Sequence, residues 1–254
     1  MSLFDFLSGD IIGLVFVLVF CVLIIIFAII GRKRPKPYLR DIRGFARLGG
    51  AIGKAVEAGK RLHISLGWGK VAGLQGASGL VGLSVLERIS RTASVSDRPP
   101  IATSGNGTLT IMSQDTERGT LLDIGAEARY DPDSGRVSGL TPYSYAAGTI
   151  PVILDEQVAT TILVGHFGSE VALITDASER SDSLTLAGSD NISAQAIMYA
   201  TAEEPLIGEE IFAAGAYLKA GPMHSASLHA QDVFRWVLSA IILIGVLLKL
   251  FGLI

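Results

Sequence analysis

Three short polar turns carry the residues whose types could bind a ligand. Each turn is rich in glycine and in hydroxyl, amide or carboxyl side chains. If each leads from a strand into a helix, its backbone N–H groups would favour a small phosphorylated or carboxylated ligand. We favour a structural interpretation, in which glycine shapes the turn and the polar residues cap helices. The turn residues that could contact a ligand are Ser104, Gly105 and Asn106 in the first turn, Gly165, His166, Gly168 and Ser169 in the second, and Ser189 and Asp190 in the third.

His166 is the histidine best placed for acid–base chemistry, because its turn would face the crevice of a parallel sheet. Glu170 and Asp190 are its candidate partners. The other histidines fit other roles: His63 falls in a predicted strand and is interpreted as structural, while His224 and His229 lie close to an apolar segment and are interpreted as interfacial. The G-x-S-x-G motif of serine hydrolases is absent. We therefore assign no catalytic residue and favour a protein that is not an enzyme, with an enzyme that uses His166 as an alternative.

The sequence carries no motif for a nucleotide cofactor or a metal. The turn at 66–73 resembles the dinucleotide-binding pattern G-x-G-x-x-G, but its third glycine comes one residue late. The P-loop pattern is absent as well. Cys21 is the single cysteine, so one chain can form neither a disulfide nor a cysteine-rich zinc site. We expect no cofactor and no metal.

The elements that must position these residues alternate between strands and helices, which is typical of an α/β fold. We predict a single three-layer α/β domain with a mainly parallel sheet of about five strands. The predicted strands are Leu62–Leu66, Pro100–Thr103, Val137–Leu140, Thr161–Val164 and Ser183–Ala187. The predicted helices are Gly79–Thr92, Thr108–Leu122, Tyr143–Glu156, Glu170–Arg180 and a long run Ile192–Leu218 that is broken at Pro205.

Two apolar segments predict transmembrane helices. Residues 11–30 are twenty residues without a charge, which is long enough to cross the hydrocarbon core of a bilayer. A signal peptide is a poorer interpretation, because the preceding segment is acidic and the apolar run is too long. Residues 235–254 form the second predicted span, in which Lys249 could extend its ammonium group to the lipid headgroups.

The distribution of charge predicts the orientation in the membrane. Residues 31–61 hold ten Lys or Arg against two acids, a net charge of +8, whereas residues 62–232 hold nine against twenty, a net charge of −11. The positive-inside rule then places the domain in the cytoplasm and both termini outside. The acidic domain argues against nucleic acid as a partner. The basic residues predicted at the membrane surface are Arg32, Lys33, Arg34, Lys36, Arg40, Arg43, Arg47 and Arg235.

Between residues 42 and 60, apolar residues recur at helical spacing among basic ones. Such a helix could lie on an anionic lipid surface, or it could be a basic helix of the domain itself. The sequence leaves these two alternatives open.

A family resemblance is carried by several sequence segments, among them RLHISLG (61–67), GLSVLERI (82–89), LVGHFGSEVALI (163–174) and LIGEEIFAAGAYL (206–218). These segments resemble an uncharacterised bacterial membrane-protein family that is known only as a domain of unknown function. The resemblance covers roughly residues 61–235. It implies one coherent domain followed by a membrane span, and it implies no activity.

We predict a two-pass membrane protein that acts as a non-enzymatic, homo-oligomeric scaffold, with the lipid bilayer and other membrane proteins as partners. The alternative is a tethered domain that binds a small anion or a nucleotide-like ligand. The predicted organisation is an extracytoplasmic N-terminus (1–10), a first span (11–30), a basic connector (31–61), an α/β domain (62–224), a juxtamembrane helix (225–234) and a second span (235–254).

Overall fold

The computed structural model describes residues 3–31, 39–73, 75–96 and 98–252, with side chains described from residue 11 onward. The chain forms two compact units, one of residues 1–39 with 221–254 and one of residues 40–220. The helices are α1 Leu3–Gly31, α2 Arg43–Glu57, α3 Gly76–Thr92, α4 Gly107–Asp123, α5 Pro142–Asp155, α6 Val171–Arg180, α7 Ile192–Thr201, α8 Glu210–Tyr217 and α9 Pro222–Leu250. The strands are β1 Arg61–Gly67, β2 Ile101–Ser104, β3 Gly135–Val137, β4 Val158–His166, β5 Leu184–Ser189 and β6 Glu204–Leu206.

The six strands form one parallel sheet in the order β3-β2-β1-β4-β5-β6. This result confirms the predicted α/β class and the parallel sheet, with six strands rather than about five. The prediction of a helical run Ile192–Leu218 was wrong in its middle, because β6 occupies the break at Pro205. Proline has no N–H to donate and is accepted at the edge of a sheet, where β6 lies. The third strand also begins earlier than predicted, at Gly135.

The core has two layers because alternate strand residues point to opposite faces of the sheet. On one face, Leu62, Ile64 and Leu66 of β1 pack with apolar residues of α2, α3 and α8. On the other face, Leu163 of β4 packs with α5, α6 and α7 around Tyr145. The connections β1–α3–β2 and β2–α4–β3 cover the first face, and the connections from β3 onward to β6 cover the second.

Helix α2 is the amphipathic basic segment, and its apolar face belongs to the core of the domain. Phe45, Leu48 and Ile52 are buried in the cluster that also contains β1. Phe45 also stacks on Tyr217 of α8, with ring centroids 4.9 Å apart. The structure therefore favours the domain-helix alternative, since the side chains that would enter a lipid surface are already covered by protein.

The other unit contains α1 and α9, whose side chains contact each other. Phe16 of α1 and Phe234 of α9 have ring centroids 4.6 Å apart, and Ala230 of α9 is fully buried. Ile11–Gly31 has a mean hydropathy of 3.5 and an apolar window in Pro222–Leu250 has a mean hydropathy of 2.2. Both helices are long and apolar enough to cross a membrane. Residues 225–250, predicted as a juxtamembrane helix and a span, lie in the single helix α9.

Candidate functional site

The strand order has a switch point between β1 and β4. The chain builds β1, β2 and β3 outward in one direction, then crosses to β4 on the other side of β1 and continues outward to β6. In open parallel sheets, ligands bind beyond the carboxyl ends of the two strands at such a point. Here these ends are Gly67 and His166, which are paired in the sheet. We call the residues around them the switch-point crevice: 67–70, 166–170 and Asp190.

His166 and Asp190 form the central polar pair of the switch-point crevice. Nδ1 of His166 lies 2.7 Å from Oδ1 of Asp190, and the two side chains are 10% and 17% exposed. The carboxylate accepts from Nδ1–H, so in the neutral form of the imidazole Nε2 is the acceptor. Nε2 makes no hydrogen bond to any residue that the structure describes. A histidine oriented in this way can bind a donor group of a ligand or act as a general base.

Glu170 is buried in the same crevice and links its 67–70 and 166–170 segments by hydrogen bonds. Its Oε1 accepts hydrogen bonds from the backbone N–H of Gly168 at 2.6 Å and from Nε1 of Trp68 at 2.8 Å. The Trp68 indole in turn packs edge-on against the His166 ring, with centroids 5.0 Å apart. A carboxylate of the chain itself therefore occupies the anion-binding position of the β4–α6 turn.

The other two polar turns mainly cap helices and brace the strand ends. Oδ1 of Asn106 accepts from the N–H of Thr108 at the start of α4. The Ser104 hydroxyl donates to the Asn106 carbonyl. The Ser189 hydroxyl accepts from the N–H of Phe167 at 3.2 Å. The structural interpretation therefore accounts for the contacts of Ser104, Asn106 and Ser189.

The glycine positions of these turns reflect close backbone approach. A Cβ at Gly105 would overlap Trp68, and one at Gly165 would overlap the backbone of Leu66. Ser169 lies at the rim, where its hydroxyl is 3.1 Å from the Tyr143 hydroxyl. Of the predicted ligand residues, the structure thus brings His166, Gly168 and Asp190 together, and leaves Asn106 on the capping side of its own helix.

The turn between β1 and α3 differs from the other three. Gly67 has φ +73°, and a Cβ there would overlap the backbone of His166. Helix α3 then begins at Gly76 with no side-chain cap and no acidic residue in its first turn. Lys70 in this turn is exposed. Trp68 and Lys70 are not predicted as site residues from the sequence, because the glycine spacing of their turn matches no nucleotide motif.

A buried polar layer lies directly beneath the crevice. The Tyr145 hydroxyl contacts the Ser65 hydroxyl and accepts from the N–H of Gly67 at 3.3 Å. Burial raises the pKa of Tyr145, so its hydroxyl keeps its proton. Burial also lowers the pKa of His63, in the same layer, to about 3, which agrees with the structural role predicted for it.

The basic residues predicted at the membrane surface are placed in three ways. Arg40 pairs with Glu210 and Arg47 pairs with Glu204, both within the domain. Arg43 is exposed on α2, and Arg235 lies 3.7 Å from Asp232 on α9. Arg32, Lys33, Arg34 and Lys36 lie outside the described residues. Within the described part of the chain, no three His, Cys, Asp or Glu residues are grouped to hold a metal ion.

Comparison with known proteins identifies a family. The model of a family described as a domain of unknown function (DUF6754) matches residues 3–254. This match extends the predicted resemblance over nearly the whole chain, including both apolar helices. Neither the curated proteins nor the solved structures contain a significant match.

Proposed function

Since the chain belongs to the DUF6754 family, a domain of unknown function, we propose its role from the geometry of its site: it is a membrane-anchored domain that binds a small anionic metabolite in the switch-point crevice. The observation that carries this proposal is the His166–Asp190 pair at the carboxyl ends of β4 and β5. His166 ends β4, one of the two strands that meet at the switch point, beyond which ligands of open parallel sheets bind.

His166 supplies the recognition of a donor group. Its Nδ1 is held by Asp190, so Nε2 is oriented without cost when a ligand arrives. The side chain is 10% exposed, which leaves an edge that a ligand can reach. A hydroxyl or amine of the ligand would donate to Nε2 in this arrangement.

The turn between β1 and α3 supplies the recognition of an anion. The N–H groups at the start of α3 have no side-chain cap, and the positive end of the helix dipole lies there. Lys70 adds a positive charge to the same turn. By contrast, Glu170 already fills the β4–α6 turn, and Asn106 already caps α4. The phosphate or carboxylate is therefore expected on the β1 side and the donor group on the β4 side.

Anchoring in the lipid bilayer is supported by α1 and α9, which have the length and composition of membrane spans. Exposed apolar residues on the domain support the homo-oligomeric scaffold as a second candidate. Ile192 and Tyr199 are 82% and 72% exposed and lie two turns apart on one face of α7, and clustered exposed apolar residues are typical of protein–protein contacts. A native mass of the purified particle equal to one chain would contradict the scaffold and leave the binding proposal standing.

Thermal unfolding of the full-length protein in detergent tests the binding proposal. Inorganic phosphate, nucleoside monophosphates, sugar phosphates and short dicarboxylates would be added one at a time. We expect at least one compound to raise the midpoint of unfolding, because a ligand that binds only the folded state stabilises it. His166→Ala should abolish this increase, whereas His224→Ala, the same change in the other unit, should keep it. An increase that survives His166→Ala would contradict the proposed site.

A further inference from the structure

A cavity of about 180 Å³ lies at the opposite edge of the sheet from the switch-point crevice. It is lined by residues from the end of α3 and the turn that follows, from the second half of α4, from residues 129–134 before β3, and by Ser96, Pro99 and Pro100 before β2. Its apolar lining residues include Ala93, Pro99, Pro100 and Leu121. Its polar lining residues include Ser90, Glu117, Arg129, Tyr130, Asp131 and Ser134.

Two of the polar lining side chains carry buried polar atoms that have no partner among the described residues. Glu117 is 2% exposed; its Oε2 is hydrogen-bonded to the Ser134 hydroxyl, while its Oε1 makes no hydrogen bond to a described residue. The Ser90 hydroxyl is likewise buried without a partner in the part of the chain that is described. Unsatisfied buried groups of this kind are costly and are rare in folded proteins. The terminal torsion of a glutamate is soft, so Oε1 can turn toward a molecule in the cavity at little cost.

The charges around Glu117 favour a cation. Burial is the main cause that raises the pKa of Glu117 to about 8; the Ser134 hydrogen bond opposes it, and the negative charge of Asp131 adds a smaller increase within that value. Among the charged groups that line the cavity and that the structure describes, Asp131 acts on the pKa of Glu117, whereas the exposed guanidinium of Arg129 donates to the Ser94 carbonyl. A positive group beside Oε1 would be attracted by Asp131 and would allow Glu117 to ionise. An anion there would be repelled by Asp131.

We propose that this cavity binds a small organic cation of the primary alkylammonium type. The ammonium group would contact Glu117 and the Ser90 hydroxyl, and the carbon part would lie against Pro99, Pro100 and Leu121. A cavity of roughly 150 Å³ can hold benzene, so the size fits about six to eight non-hydrogen atoms. The site is independent of the switch-point crevice, because it uses other residues at the other end of the strands.

Titration calorimetry of the full-length protein with butylamine and cyclohexylamine tests this proposal. Because neutral Glu117 loses its proton when the cation binds, nearly one proton is released per amine at pH 7. The apparent binding heat should therefore differ between PIPES and HEPES, which have different ionisation enthalpies. Affinity should also rise with pH up to about 8 and then level off.

Three variants and a pair of neutral alcohols test the proposed contacts. Glu117→Gln should weaken amine binding about tenfold or more and remove the buffer dependence, because glutamine cannot ionise. Glu127→Gln, the same change on an exposed residue outside the cavity, should alter neither. Leu121→Phe should weaken cyclohexylamine more than butylamine by filling the cavity. The proposal would be overturned if neither amine binds or if Glu117→Gln binds the amines as the wild type does. It would also be overturned if butanol and cyclohexanol bind with the same affinity as butylamine and cyclohexylamine.

Discussion

Nε2 of His63 lies 2.9 Å from the hydroxyl oxygen of Thr103, which joins neighbouring strands β1 and β2 inside the protein. Its other ring nitrogen, Nδ1, is buried with no hydrogen-bond partner among the described residues. The ring is fully buried, and this burial lowers the pKa of His63 from 6.5 to about 3. The imidazole is therefore neutral in the folded state at any pH above that value.

His63 should make the protein sensitive to mild acid. The unfolded chain takes up a proton near pH 6.5 and the folded chain does not, so stability is fully present above pH 6.5 and falls as the pH drops toward 3. At pH 5 the loss is about 2 kcal/mol. His63→Gln should remove this part of the pH dependence of the free energy of unfolding, measured by denaturant titration between pH 5 and 8. His224→Gln should retain it, and an identical slope in both variants would contradict the prediction.

Glu117 should give the opposite pH dependence of stability to His63. Its pKa is about 8 in the folded state, against an ordinary value of 4.5, so the folded chain holds the proton more tightly than the unfolded chain does. The stability from this proton is fully present below pH 4.5 and is lost as the pH rises to about 8. Glu117→Gln should gain stability over the wild type by about 2–3 kcal/mol between pH 6 and 9, and the gain should level off above pH 8. Denaturant titrations of the two proteins measure it.

The matched control for this measurement is Glu127→Gln, because Glu127 is exposed and pairs with Arg118 at the surface. Its stability should follow the wild type at every pH. A constant difference between Glu117→Gln and the wild type from pH 6 to 9 would show that Glu117 is already ionised in the folded protein.

Leu48 tests whether α2 belongs to the domain. It is fully buried against the sheet, so Leu48→Ala should lower the free energy of unfolding by about 2–5 kcal/mol. Leu122→Ala is the matched control, since Leu122 is 57% exposed on α4, and it should cost less than about 1 kcal/mol. Both are measured by chemical unfolding followed by tryptophan fluorescence. Equal small effects would indicate that α2 instead rests on lipid and stabilises the domain little.

Much of the α/β architecture could be predicted because the strands and helices differ in hydrophobic period. Strand β6 could not be predicted, since it is only three residues long and its central residue is Pro205, which in the sequence indicates a break in a helix. The strand order was also out of reach, because the crossing from β3 to β4 depends on which helices cover each face. Without that order, the switch point between β1 and β4 could not be located.

The site could be predicted only in part for similar reasons. His166 and Asp190 could be predicted as partners because each follows a buried strand, and the carboxyl ends of parallel strands meet at one edge of the sheet. Trp68 was not predicted as a site residue because its contacts with Glu170 and His166 join residues about 100 positions apart. Glu117 gave no local signal either, since a glutamate on a polar helix is normally exposed.

The basic residues that follow α1 predict the orientation of the chain in the membrane. These residues should hold the domain in the cytoplasm and place the end of α9 outside. In a Cys21→Ser background, single cysteines would be introduced as Gly252→Cys at the end of α9 and as Glu179→Cys on the exposed face of α6. A membrane-impermeant maleimide applied to intact cells should label Gly252→Cys and leave Glu179→Cys unlabelled. After permeabilisation both should react, which shows that each cysteine is accessible. Labelling of Glu179→Cys in intact cells would reverse the orientation, and labelling of Gly252→Cys only after permeabilisation would show that α9 does not cross the bilayer.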